Sequence, residues 1–131
     1  MMILNREVAV IVPHTHNDGA PMNRQVNTFV NLVTEAVGGV SSYEVAGAWY
    51  EGGRRYDDTG TAHMWSLEAG LGVSSMMKAS AILDLVAALL SAGGQISVSV
   101  ALGGTRYLVE REDLKDFRAH LVDYLAGGDA V

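Results

Sequence analysis

The chain has 131 residues, enough for one domain with a single core that needs no staples. It has no cysteine, which excludes disulfides and thiolate metal sites, and its net charge of -6 argues against nucleic acid as a partner. Hydrophobic residues make up 49% and charged residues only 18%, so the surplus apolar surface predicts a homo-oligomer.

No run of apolar residues reaches the length needed to span a membrane, so no membrane partner is expected. Asn5, Arg6 and Glu7 interrupt any signal-peptide pattern, and the expectation is a cytoplasmic protein. Residues 8–13 (VAVIVP) form a short unbroken apolar run, as in a strand covered on both faces. Residues 14–21 (HTHNDGAP) have loop composition. A helix is predicted over 22–37, because Val26, Phe29, Val30, Val33 and Val37 recur at helical spacing while Asn23, Asn27, Asn31 and Glu35 face away. Gly38 and Gly39 end it with a left-handed cap.

Residues 38–72 read as two strands around a glycine-rich, acidic turn. Alternation puts Tyr43, Val45, Gly47 and Trp49 on one face of the first strand and Glu44, Ala46, Ala48 and Tyr50 on the other. The second strand sets His63, Trp65 and Leu67 against Met64, Ser66 and Glu68. Residues 51–61 lie between them as the turn.

Ser74 or Ser75 caps a second helix reaching about residue 92. Its only charges are Lys78 and Asp84, so it is expected to be covered on more than one side, the extra side by a neighbouring subunit. In residues 95–102, Ile96, Val98, Val100 and Leu102 alternate with small residues, the pattern of a half-buried antiparallel strand. Gly103 and Gly104 signal a tight hairpin into a strand over 105–110. A last helix over 112–126 carries Leu114, Phe117, Leu121 and Leu125 on one side, and 127–131 reads as a flexible tail.

The order strand, helix, strand, strand, helix, strand predicts an α+β, ferredoxin-like split βαβ domain with an extra C-terminal strand and helix. An antiparallel sheet would carry the helices on one face, leaving the other for self-association.

Four groups carry candidate chemistry. His14, His16 and Asp18 have the composition of a divalent-metal motif, or of a polar loop in which Asn17 or Asp18 caps the helix. Tyr56, Asp57 and Asp58, beside Arg54 and Arg55, suit a cationic or zwitterionic ligand, or form an exposed turn whose charges balance. Tyr43, Trp49, Tyr50 and Trp65 are either core aromatics or the lining of a pocket for a planar base or a cation. Glu68 is a site candidate if its face is buried.

Through Met22-Asn23-Arg24, the valine-rich helix and Gly47-Ala48-Trp49-Tyr50-Glu51, the chain resembles the small bacteriophage-encoded S-adenosylmethionine lyases. The resemblance implies a PII-like trimer that binds its ligand between subunits. It also implies metal-independent cleavage of S-adenosylmethionine to methylthioadenosine and homoserine lactone, with no cofactor. The family's aromatic position falls on Trp49 and its acidic position on Asp57 or Asp58, where the family carries Tyr and Glu. The resemblance makes Asp57, Asp58 and Glu68 the candidate catalytic carboxylates. It makes Trp49, Tyr50, Tyr56, Trp65 and Arg54 the candidate substrate-binding set. The alternatives are a non-catalytic, PII-like binding module for an adenosine-type ligand and a purely structural oligomer.

Overall fold

In a computed structural model describing residues 1–70 and 72–127, the sheet is built around β1 (Arg6–Pro13). The chain continues through α1 (Arg24–Val37), β2 (Ser41–Glu51), β3 (Arg54–Leu67), α2 (Val73–Leu90), β4 (Ser97–Leu102) and β5 (Thr105–Glu110). A 3-10 turn (Arg111–Asp113) then leads into α3 (Leu114–Leu125). The strand order is β2-β3-β1-β4-β5, and every neighbouring pair is antiparallel. This is the α+β, ferredoxin-like split βαβ arrangement, with β5 and α3 added beside β4.

Register fixes the two faces, because directly opposed residues of antiparallel strands point the same way. Leu102, Val8 and Trp65 make one row across β4, β1 and β3. Val100, Val10 and His63 make the next. The apolar members of these rows are wholly buried and join Val26, Val33, Ile82, Leu85, Val86, Leu89 and Leu121 from the helices in one core. The opposite face carries Ala9, Ile11, Met64, Tyr43, Trp49 and Leu108 without a helix over it, and Tyr43, Trp49 and Leu108 are exposed. The run at 8–13 is therefore fully buried only on its helix side, through Val8, Val10 and Val12.

Helix α1 forms where the valines recur, but its cap is Asn23, whose side chain accepts from the Gln25 N–H at 2.8 Å. Neither Asn17 nor Asp18 serves as that cap, and Asp18 instead accepts from the Ala20 N–H and turns the loop. Gly38, at φ 108°, donates its N–H to the Thr34 carbonyl and closes the helix.

The central hairpin differs most from the sequence expectation. Residues 54–61 are strand rather than turn, and only Gly52 and Gly53 connect β2 to β3. Both glycines have positive φ, 60° and 78°, the demand of a two-residue type I′ turn that side-chain-bearing residues meet poorly. Aspartates and glycines read as breakers in composition, yet a continuous ladder registers all eleven pairs from Ser41↔Met64 to Glu51↔Arg54.

Helix α2 begins at Val73 with no side-chain cap, so neither Ser74 nor Ser75 has the expected role. Among the described residues it is the one helix long and apolar enough, by length and composition, to cross a membrane, which revises the sequence reading. Here it packs into the core through Ala79, Ile82, Leu85, Val86 and Leu89. Ile96, expected in the core with Val98, precedes β4 and is exposed, because the strand begins only at Ser97. The tail expected over 127–131 lies outside the described residues from 128 onward.

Candidate functional site

The β2–β3 hairpin extends past the helices, so its outer half presents side chains on both faces. On the open face Trp49 opposes Tyr56, and their rings stack with centroids 5.2 Å apart and planes 15° from parallel. The Arg54 guanidinium lies 5.1 Å from the Tyr56 ring centre, extending the stack. Trp49 is 49% exposed, leaving ring surface open. Asp58, two residues beyond Tyr56 on this face, opposes Gly47 and accepts from the Thr59 N–H at 2.9 Å.

The helix-side face of the same hairpin carries different chemistry. Tyr50 opposes Arg55, and Ala48 opposes Asp57. Arg55 Nε donates to Asp57 Oδ1 at 2.9 Å, and both side chains are largely exposed. Toward the base of the hairpin, Glu44 Oε2 lies 2.8 Å from His14 Nε2, and Thr61 Oγ1 donates to Glu44 Oε1 at 3.1 Å. His14 Nδ1 meets Thr59 Oγ1 at 3.1 Å. One pair further, Ser42 Oγ sits 2.7 Å from His63 Nδ1. Burial holds the His63 imidazole below its ordinary pKa of 6.5, and the nearby Glu44 charge offsets part of that effect.

One chain therefore divides the residues singled out in the sequence. Trp49, Tyr56, Arg54 and Asp58 share the open face, whereas Tyr50 and Asp57 lie on the other. Trp65 is not available to a ligand: it is 0% exposed, and its Nε1 donates to Thr34 Oγ1 beneath α1. Glu68 lies exposed beyond the end of β3, ten residues from Asp58. At strand rise that is about 30 Å, so the three carboxylates do not converge within one chain.

His14, His16 and Asp18 also separate. His14 turns to Glu44 and Thr59, His16 Nε2 accepts from the Asn23 N–H at 3.1 Å, and Asp18 holds Ala20. Among the described residues no three His, Asp or Glu side chains gather as a metal site. The sequence reading missed Glu44, Ser42, His63, Thr59 and Thr61 as a group. Strand alternation was the available signal, but only the register joins them.

A cavity of about 710 Å³ opens elsewhere, between α1 and α2, lined by Phe29, Leu32, Ala36, Met76, Met77 and Asp84 among others. It contains none of the candidate residues.

No protein-family model matches the chain, and no curated protein matches it in sequence. Two solved structures match its fold. One is a phage SAM lyase in complex with S-methyl-5'-thioadenosine, 15% identical, with a TM-score of 0.57. The other is a phage SAM lyase in its apo state, 14% identical, with a TM-score of 0.52. Each match covers 86% of this chain and 96% of the other. Over nearly its whole length, then, the chain has a fold similar to that of the phage SAM lyases.

Proposed function

We propose that the protein is a small-molecule enzyme that cleaves S-adenosylmethionine to methylthioadenosine and homoserine lactone, at a site shared by adjacent copies in a trimer. The observation that carries this reading is the half-open Trp49–Tyr56 stack on the hairpin of a chain folded like a lyase bound to methylthioadenosine. Aromatic faces suit both an adenine ring and a sulfonium, the latter by about 0.5–2 kcal/mol per ring.

The two faces of the hairpin favour a site between subunits. A ligand on the open face of one hairpin cannot also touch the helix-side row of the same hairpin. Head-to-tail association sets one face against the other in the next copy, and three such contacts can close a ring.

The reaction asks little of the protein. The substrate's own carboxylate attacks the carbon beside the sulfonium, forming a C–O bond as the C–S bond breaks. The electron pair goes to sulfur, and no proton moves. Opposite charges cancel along the way, so a dry site and a folded-back substrate supply proximity and a favourable environment. Trp49 and Tyr56 hold the sulfonium, and Asp58 holds the ammonium. Incubation with S-adenosylmethionine followed by chromatography tests this: methylthioadenosine accumulates in proportion to protein, and its absence refutes catalysis.

A non-catalytic module for an adenosine-type ligand is the second reading. It is favoured by the local bonding of both hairpin aspartates, Asp57 to Arg55 and Asp58 to the Thr59 N–H. Here methylthioadenosine or S-adenosylmethionine raises the melting temperature by mass action without being consumed.

A further inference from the structure

Residues 1–4 (MMIL) precede β1 outside any helix or strand, and all four side chains are exposed. Single exposed apolar residues are ordinary, whereas four in succession form a patch that burial would stabilise. The residues that follow anchor this segment at its root. Asn5 Oδ1 accepts from the Ala69 N–H at 3.2 Å, and Arg6 Nε donates to the Tyr124 carbonyl at 2.9 Å. Gly70, beside Ala69, donates its N–H to the Leu125 carbonyl at 2.9 Å, and a Cβ on Gly70 would stand 3.4 Å from Ser75 Oγ. The root therefore lies against the first turn of α2.

A small cleft lined by Gly70, Ser75 and Met76 leads on from that point and shares Gly72 and Met76 with the cavity of about 710 Å³ between α1 and α2. Helix α1 runs back toward the end of the sheet where β1 begins, and α2 sets out from it. Leu32 and Ala36, late in α1, thus line the cavity together with Val73, Met76 and Met77, early in α2. Apart from Ala36 these side chains are large, apolar and exposed. Asp84, the carboxylate of the lining, stands two turns further along α2 than Met77.

Four extended residues span about 13 Å, and two helical turns about 11 Å, so the segment is long enough to lie along the apolar start of the groove. A second copy offers the same apolar residues, but the tether decides between the two occupants. A segment held at Asn5 meets its own groove at an effective concentration on the order of millimolar, against about micromolar for a separate chain. We infer that residues 1–4 form a strap that closes over the α1–α2 groove of their own chain, seating Met1 and Met2 against Val73, Met76 and Met77 and denying the groove to other apolar partners.

The chain has no cysteine, so two introduced ones report only on each other. Met2→Cys is combined with Met76→Cys in the groove or with Glu68→Cys, which is exposed beside the anchoring Ala69 and outside the groove. Mild oxidation at micromolar protein is followed on non-reducing gels, with the melting temperature of each reduced variant as the check on folding. A disulfide needs Cα atoms within about 7 Å, so a freely moving segment would favour position 68, the nearer to its root. The strap should instead close the 2–76 bond within one chain at least about tenfold faster than the 2–68 bond. Equal or reversed rates overturn it, and so does a 2–76 bond that joins two chains, which would make a second copy the occupant. Val73→Cys, at the exposed first residue of α2, replaces Met76→Cys if that substitution lowers the melting temperature, and the same outcomes apply.

Discussion

Trp49 and Tyr56 stand opposite one another on β2 and β3, 5.2 Å between ring centres, with half of Trp49 still open to solvent. The pair lies on the face of the sheet that no helix covers. An exposed stack contributes about 0.5–1.5 kcal/mol beyond its buried area, so stability alone is a weak reason for it. Trp49→Ala and Tyr56→Ala should each shift the melting temperature little and weaken S-adenosylmethionine binding by roughly 2–30-fold. Calorimetry decides it, and full affinity in both variants would remove the ligand from this face.

The stack depends on the turn that closes it. Gly52 and Gly53 hold positive φ, and Ala at either position should cost about 1–2 kcal/mol. Gly47, also in the hairpin, has no positive φ and open space where a Cβ would stand, so Gly47→Ala should be neutral or slightly stabilising. Urea unfolding separates the cases. Similar losses at all three positions would show that the turn is not the constraint.

The two tryptophans, alike in sequence context, should behave oppositely. Trp65→Ala removes a wholly buried ring and the partner of Thr34, and should cost about 3–5 kcal/mol. Near-native unfolding midpoints for this variant would contradict its place in the core.

Why the sequence separates these residues poorly has a physical answer. Period-two alternation correctly sets His63 with Trp65 and Tyr43 with Trp49, but it does not say which face the helices cover. Trp65 and His63 share the covered face, yet one is core and the other lies at its polar margin, because the row Val100, Val10, His63, Ser42 runs out from under the helices. The helix and strand order was legible because valines at helical spacing and alternating strands are local signals. The His14–Glu44 pair was not, since thirty residues separate its members and their distance is set by the ladder between β1 and β3 together with the ladder between β2 and β3. The same ladder converts the supposed loop at 54–61 into strand and moves Asp57 and Asp58 onto opposite faces.

His63 gives the fold a pH dependence with a defined sign. Its folded-state pKa lies below 6.5, so below that value the unfolded chain binds the proton more readily. The stability it contributes is fully present above about pH 6.5 and is lost as pH falls through the depressed folded value. Denaturant midpoints should therefore drop between pH 7.5 and pH 5, and the drop should shrink in His63→Gln. Identical profiles for the two proteins would show that the imidazole is not the group responsible.

The uncovered sheet face yields the prediction with the widest reach. Tyr43 on β2 and Leu108 on β5 stand exposed near its two edges, with Ile11, Ala9 and Met64 half-buried between them. A face this apolar is expected to be buried against other copies, and in the proposed ring of three an open-face stack would meet a neighbour's helix-side row. Light scattering at micromolar concentration should give three times the subunit mass. Leu108→Lys should lower that mass while leaving circular dichroism unchanged, since Leu108 points away from the core. It should also abolish turnover without touching Trp49 or Tyr56. A native protein of one subunit mass that still cleaves S-adenosylmethionine would place the whole site within one chain, and the division of the hairpin into two half-sites would be wrong.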